Sequence, residues 1–445
     1  MASTYLYRTQ VAGTSTQKFT FSAWFKRTGL TQDYSGLLNC YTGDANRNGI
    51  YFGTNAKLNV YFRTSSSSQI YYETNKLFKD VSAWYHIVVA IDTTDSTAGD
   101  RVKIYINGVR LTSFSASTNP NQNSNFSVIG TNGLDLEVGR MQYGSTNTKY
   151  FDGLMSHVHF TDGYVYTPST FGSTDATTGE WKIKTDVTGV TYGNNGFWIL
   201  KDDNSNLDRS GENHHQTISG TLTKTEDNPS NNFATMNSLN RNAAASYTFT
   251  NSSNVVTIDA TDAAVPGTLG AKSGKYYWEQ KWTQQGGNDR WGIMPDDALV
   301  TTHPRATGVG WDQASNQFYL LGSAVSGSWG SSIGTGDIIQ IALDLDNNAL
   351  YLGVNGTYRN SGDPTSGSSR TGAVDFSASS LVGKFLLPGF GKGNQGTSTM
   401  QYNFGNGYFG TTAISSAGTN ASNNGLFEYD VPAGYTALST RGLNT

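Results

Sequence analysis

Cys40 is the chain's one cysteine, so no internal disulfide can form and a bridged secreted scaffold is excluded. It stands in "LLNCYTG" and reads as a small buried side chain. Charge is scarce as well: 14% of the 445 residues are Asp, Glu, Lys or Arg, and the formal net charge is −4. Clustered Lys and Arg are missing, so nucleic acid is not an expected partner, because phosphate neutralisation needs such clusters. The longest purely aliphatic stretch, Ile87 to Ile91, is far short of a membrane span. The opening "MASTYLYRTQVAGTS" lacks the apolar core of a signal peptide, so no export signal is expected.

Helical periodicity is also nearly absent. In its place stands period-two alternation bounded by Gly, Asn and Asp, the pattern of half-buried antiparallel strands. "KFTFSAWFKR" puts Phe19, Phe21, Ala23 and Phe25 on one face, with Thr20, Ser22 and Trp24 opposite. "WYHIVVAID" and "RVKIYINGVRL" continue it, the second turning at Asn107-Gly108, a strong hairpin signal. From about Thr167 the chain becomes turn-rich with sparse strands, and from about Tyr247 alternation returns. The expected fold class is all-β: two β-sandwiches, residues 1–166 and 246–445, joined by an extended irregular connector over 167–245.

Specific strings carry resemblances. "FTFSAWFKR", "WYHIVVAID", "VKIYINGVRL", "LEVGR" and "FDGLMSHVHFTDG" resemble laminin-G-like modules of the concanavalin-A-like superfamily over residues 17 to about 165. "GKYYWE", "GVGW", "GDIIQIALDLDNNALYLGVNG", "LLPGFG" and "QYNFGNGYF" resemble a SPRY domain over 273 to about 409. These resemblances imply concanavalin-A-like jelly rolls for both sandwiches. The connector strings "YGNNGFWILKDDNSNLDRSGENHH" and "EDNPSNNFATMNSLN" resemble proteins encoded by tailed phages. That third resemblance implies a structural protein on the surface of a virion, tail-fibre-like or head-decorating. Its implied partners are capsid or tail proteins, a host-surface glycan and further copies of itself, as in a trimer. It would be assembled in the host cytoplasm and released by lysis.

Candidate chemistry is thin. Asp344 and Asp346 in "DLDNN" share a strand face, but a Glu-x-Asp-x-(x)-Glu string is missing and the pair lies at a hairpin, where carboxylates accept backbone N–H bonds. Asp135 and Glu137 alternate in what reads as an ordinary strand, and no nucleophile elbow is expected. "DANRNG", from Asp44, opens like a calcium loop, yet Asn55 stands where the bidentate Glu belongs. "DDNSNLD", from Asp202, is a second weak oxygen cluster. His157 and His159 have a spacing zinc could use, but lack an evident third ligand and read as a surface pair. No catalytic residue, metal or cofactor is therefore assigned. The best lead is aromatic: Trp311, Tyr319 and Trp329 flank loops and, with Asn355 and Tyr358, form the expected ligand-contact set. A non-enzymatic binding protein is the expected function. The alternatives are a polysaccharide depolymerase and a purely architectural capsid or tail cement protein.

Overall fold

A computed structural model describes residues 3–30, 33–144, 147–201, 205–394 and 396–444. The chain divides into two compact units, Met1–Lys224 and Thr225–Thr445.

In the first unit the strands run β1 (Tyr5–Thr9), β2 (Lys18–Arg27), β3 (Ser35–Gly43), β4 (Asn46–Phe52), β5 (Lys57–Thr64) and β6 (Ser67–Leu77). They continue with β7 (Tyr85–Asp92), β8 (Val102–Ile106), β9 (Val109–Arg110), β10 (Phe114–Thr118), β11 (Asp135–Val138) and β12 (Arg140–Tyr143). The last six are β13 (Asn147–Tyr150), β14 (Gly153–Asp162), β15 (Gly172–Thr174), β16 (Trp181–Ile183), β17 (Phe197–Ile199) and β18 (Thr217–Ser219). An eight-stranded sheet, order β10-β6-β5-β4-β3-β11-β1-β18, faces a six-stranded one, order β17-β14-β2-β7-β8-β9. Between them Phe19, Phe21 and Phe25 meet Ile50, Phe52, Val60 and Phe62 in one apolar cluster. The Asn107-Gly108 hairpin turn is present, both residues at positive φ.

The expected connector is not a separate element. Short strands β17 and β18 extend the two sheets of the first sandwich, and the β15–β16 hairpin lies on the outside of the smaller sheet. Trp181 of that hairpin fits where Gly108 and Gly172 leave room, since a Cβ on either would stand 2.6 Å from its ring. β2 is therefore buried on both faces, and Ser22 and Trp24, opposite the core, are as enclosed as Phe21. Residues after 224 join the second unit, where Phe233, Ala234 and Met236 are buried.

The second unit begins with β19 (Ser246–Thr250), β20 (Val255–Asp259), β21 (Ala263–Pro266), β22 (Lys275–Gln284), β23 (Asp289–Pro295) and β24 (Val309–Asp312). Then come β25 (Gln317–Leu320), β26 (Ser323–Ala324), β27 (Ile338–Asp344), β28 (Ala349–Val354), β29 (Thr357–Tyr358) and β30 (Val374–Asp375). It closes with β31 (Leu386–Lys392), β32 (Thr397–Asn403), β33 (Tyr408–Phe409), β34 (Thr412–Ala413) and β35 (Thr436–Ala437). A nine-stranded sheet built along β19-β20-β32-β22-β27-β28-β29 packs on a six-stranded sheet, order β21-β31-β23-β24-β25-β26. Trp278, Trp282, Trp291, Trp311 and Trp329 lie in their shared core. A second apolar layer covers the outside of the larger sheet: Tyr277, Ala342 and Tyr351 of the sheet meet Phe427, Val431 and Tyr435 of the closing segment.

On the outside of the smaller sheet, Gly292, Gly310 and Gly389 are cross-strand neighbours and form a flat floor. The segment His303–Arg305 lies directly on it, and a Cβ on Gly310 would stand 2.2 Å from the Arg305 backbone nitrogen. Gly310→Ala is expected to destabilise the second unit by about 1–3 kcal/mol, because backbone rather than a side-chain tip must move. A urea midpoint equal to that of the parent chain would contradict the close packing of this segment.

Candidate functional site

The two carboxylate pairs are structural. Asp344 is fully buried, pairs with Lys275 at 2.9 Å and accepts from the Asn347 backbone and side-chain nitrogens at 2.9 and 2.8 Å. Asp346 accepts the Gly274 N–H at 2.7 Å. Both hold the ends of a hairpin. Glu137 is buried and accepts from Asn39 Nδ2 at 2.7 Å and from both Nε and Nη2 of Arg140, while Asp135 takes the Thr9 hydroxyl proton at 2.7 Å. Asp44 of the calcium-like string accepts from Arg47 and from the Gly144 N–H, and Asn55 Oδ1 accepts the Lys57 N–H. The string is thus a polar turn. Asp202 lies outside the described residues. The string "GSSIG", Gly330 to Gly334, has the letter spacing of a nucleophile elbow, but Ile333 is in the core and no helix follows it.

The histidine pair is not a surface pair, since His159 is buried and His157 half-buried. His157 has a left-handed backbone and a register shift separates Ser156 from His159, so the two are not plain i, i+2 partners. His159 is buried, with Nδ1 2.9 Å from Tyr192 Oη and its ring stacked on Trp198. Nearby, His86 is buried between Trp24 and Trp181, with Nε2 2.9 Å from Ser22 Oγ and Nδ1 accepting from Trp181 Nε1 at 3.0 Å. Burial holds both rings neutral: His86 is pushed down to about 3, and His159 lies well below the usual imidazole range. Ser22 is fully buried as well, so this serine–histidine contact serves the packing of the connector and reaches no solvent.

The expected ligand-contact set does not come together. Trp311 is 1% exposed and Trp329 4%. Trp291, Trp311 and Phe318 are cross-strand partners on the core face, so the Trp311 ring stacks on Trp291 at 5.6 Å, and Trp329 meets Phe318 edge-on at 5.0 Å. Neither ring can touch a ligand. Tyr319 faces outward on the smaller sheet, under the Arg305 guanidinium at 4.0 Å. Asn355 locks the β28–β29 turn, accepting from Ile338 N and donating to Asp337. Tyr358 is half-buried against the outer layer of the larger sheet. Of the five, Tyr319, Asn355 and Tyr358 keep some surface in solvent, Tyr319 on the smaller sheet and the other two on the larger.

An open aromatic face lies instead on the first unit. Residues directly opposite on neighbouring strands share a face. One such row crosses the eight-stranded sheet as Tyr7, Glu137, Asn39, Gly49, Tyr61 and Tyr71. Flanking rows hold Tyr51, Asn59 and Glu73 on one side and Tyr41, Arg47 and Arg63 on the other. The β12–β13 hairpin covers the middle, with fully buried Met141 seated on Gly49. Beyond it Tyr61, Tyr71, Arg63, Lys57 and Glu73 keep part of their surface in solvent. Tyr61 and Tyr71 meet edge-on at 5.6 Å. Glu73 accepts from Ser115 Oγ at 2.6 Å and Lys57 Nζ at 2.9 Å, and these bonds hold its carboxyl below the ordinary range.

The sequence reading missed this face, although the alternation in "KLNVYFRT" contains it. Leu58, Val60 and Phe62 go to the core, which turns Asn59, Tyr61 and Arg63 outward. An open sheet face of tyrosine rings interleaved with Arg, Asn, Lys and Glu can stack on the apolar C–H faces of a sugar and hydrogen-bond its hydroxyls.

Residues 2–170 match the family model for the concanavalin A-like lectin/glucanases superfamily, Laminin_G_3. No curated protein sequence matches the chain. Among solved structures it is similar to the SPRY domain of human HERC1, at 15% identity over 38% of this chain and 96% of that one, with a TM-score of 0.29. The native heptameric SAP-like pentraxin from Limulus polyphemus aligns at 16% identity over 49% of this chain and 90% of its own, TM-score 0.31. The TRIM65 PSpry domain aligns at 14% identity over 38% and 91%, TM-score 0.29. The first unit thus has a laminin-G-like, concanavalin-A-like fold, and SPRY domains are among the chain's structural neighbours. Among the described residues no group of three or more His, Cys, Asp or Glu is gathered to hold a metal, and no helix is long and apolar enough to cross a membrane.

Proposed function

We propose that this chain is a non-catalytic glycan-binding protein displayed on the surface of a tailed-phage particle, with the tyrosine face of the first sandwich as its contact surface. The observation that carries the reading is the partly exposed group Tyr61, Arg63, Tyr71 and Glu73 on one sheet face of a lectin-superfamily sandwich. The placement on a phage rests on the likeness of the connector strings to phage-encoded proteins. A binding rather than hydrolytic role fits the state of Glu73: its hydrogen bonds lower its pKa, whereas a glycosidase acid needs a raised one. Binding through one open face is weak, so many copies per particle would supply avidity.

Tyr61→Ala and Tyr71→Ala are each expected to weaken retention by a host envelope polysaccharide about tenfold, in line with the 1–3 kcal/mol typical of a lost aromatic stack, without changing the melting temperature. Retention unchanged in both variants would remove this face from the reading, and release of reducing sugar by the purified chain would replace binding with hydrolysis. Gold-labelled antibody against residues 246–410 should decorate intact particles. Protein found in the soluble lysate alone, with bare particles, would remove the virion placement.

A further inference from the structure

We infer that the glycan taken at this face is acidic, with a sugar carboxylate held by Arg63 beside Arg47; the inference deepens the glycan reading and rests on it. Arg47 and Arg63 are direct cross-strand partners on the same face as Tyr61. Like charges placed opposite each other oppose strand pairing unless an anion lies between them. The protein supplies one carboxylate for the two. Asp44 pairs with Arg47 at 3.0 Å and is itself 55% exposed, while Arg63 reaches only the Asp44 backbone oxygen, at 2.9 Å. Among the described residues no carboxylate forms an ion pair with Arg63. The Nε atoms of both arginines are enclosed and Arg47 as a whole is 6% exposed, so the partly exposed Arg63 is the one that presents its guanidinium to solvent, with Arg47 beside it.

The surroundings fix these groups in place. The Arg47 guanidinium lies over two rings, 4.4 Å from the centroid of Tyr143 and 5.2 Å from that of Tyr61. Ser68 Oγ donates to Tyr61 Oη at 3.0 Å. The β3–β4 and β5–β6 turns are tied together by Ser66 N to Ala45 O and Ser65 N to Asn46 Oδ1. A local excess of one positive charge therefore sits on a chain whose net charge is −4, next to an aromatic platform. Guanidinium groups take carboxylates through paired N–H donors, and Arg is weakly hydrated enough to do so at a half-enclosed site. A uronic acid answers both halves: its carboxylate pairs with Arg63 beside the enclosed Arg47, and its ring lies on Tyr61. A neutral sugar leaves the excess charge uncompensated.

The test uses the intact chain with polygalacturonate and the same polymer after carboxyl reduction, by affinity gel electrophoresis at low and raised salt. The acidic polymer is expected to bind about tenfold more tightly, with the advantage shrinking as salt rises. Arg47→Gln/Arg63→Gln together should bring the acidic polymer down to the level of the reduced one, whereas Tyr61→Ala should weaken both. Should the double variant fail to fold, Arg63→Gln alone, which relieves the like-charge opposition, should fold and lose part of the preference. Equal binding of the two polymers, or a preference that survives in the arginine variants, would overturn the acidic assignment and leave the glycan reading standing. No binding of either polymer or of any neutral glycan would take both down.

Discussion

Acidifying the intact chain from pH 7 to pH 4 is expected to loosen the first sandwich. The cause is its two enclosed imidazoles. His86 and His159 are depressed by burial, whereas in the unfolded chain they titrate near the ordinary value of about 6.5. Stability from a depressed histidine is fully present above the unfolded value and is lost as pH falls below it toward the folded value. The unfolded chain takes up two protons that the folded one refuses, so each histidine adds to the loss, which for His86 runs at about 1.4 kcal/mol per pH unit and reaches about 3 kcal/mol by pH 4. Hydrogen exchange read on peptides covering residues 18–27 and 85–92 should rise steeply between pH 6 and pH 4, after correction for intrinsic exchange. His86→Gln should roughly halve the slope. Protection in those peptides that stays level across this range would show that the rings take protons in place.

The second unit holds a buried group of opposite sign. Glu279 is fully buried on the outer side of the nine-stranded sheet, beneath the closing segment. It accepts the backbone N–H groups of Glu428 and Tyr429 at 2.9 and 2.8 Å, the Tyr277 hydroxyl at 3.0 Å and Asn403 Nδ2 at 3.3 Å. Burial outweighs those four donors and lifts its carboxyl to about 7. A carboxyl raised in the folded state contributes stability that is complete below its unfolded value of about 4.5 and is lost as pH rises through 7. Glu279→Ala takes the carboxylate acceptor from four donors, of which Asn403 Nδ2 keeps the Leu426 carbonyl, and is expected to cost about 3 kcal/mol or more, releasing the segment around Phe427 and Tyr435 first. Glu279→Gln keeps an acceptor oxygen for one of the two backbone donors, which bond different carboxyl oxygens, so it should cost less than alanine and flatten the dependence between pH 4.5 and pH 7. Urea titrations of the three chains at pH 5 and pH 7.5 measure both effects. An alanine variant as stable as the parent would mean that the closing segment is held by its apolar side chains alone.

Much of the fold was legible because strand alternation is a local signal. Phe19, Phe21 and Phe25 reached the core as their spacing predicts, and the Asn107-Gly108 and Asn355-Gly356 turns have the positive φ values such hairpins need. The reading failed where a residue's surroundings come from distant sequence. Trp24, His86 and His159 look like outward residues of a half-buried sheet until Trp181 is laid over the first two and Phe171 and Tyr192 over the third. Trp311 borders a turn in the sequence, yet Gly310 and Asp312 occupy the outward positions beside it and leave it the core. The tyrosine face was hidden for the converse reason. Alternation shows that Tyr61 points away from the core, but not that its neighbours across the strands are Tyr71 and Gly49.

Strand β1 has a kinetic consequence. It pairs with β11 on one side and with β18 on the other, and Thr4 donates its hydroxyl proton to the carbonyl of Thr221, 217 residues later. A ribosome adding about 5–20 residues per second takes on the order of ten seconds or more to supply that partner. Throughout that interval one edge of the eight-stranded sheet stands open beside other nascent chains. In the second unit, β22 likewise waits for β35, at Thr436 and Ala437, before its outer layer is complete. Each sandwich is completed by its own last strand, so the folded yield is expected to fall as nascent chains crowd one another, even where the finished protein is stable.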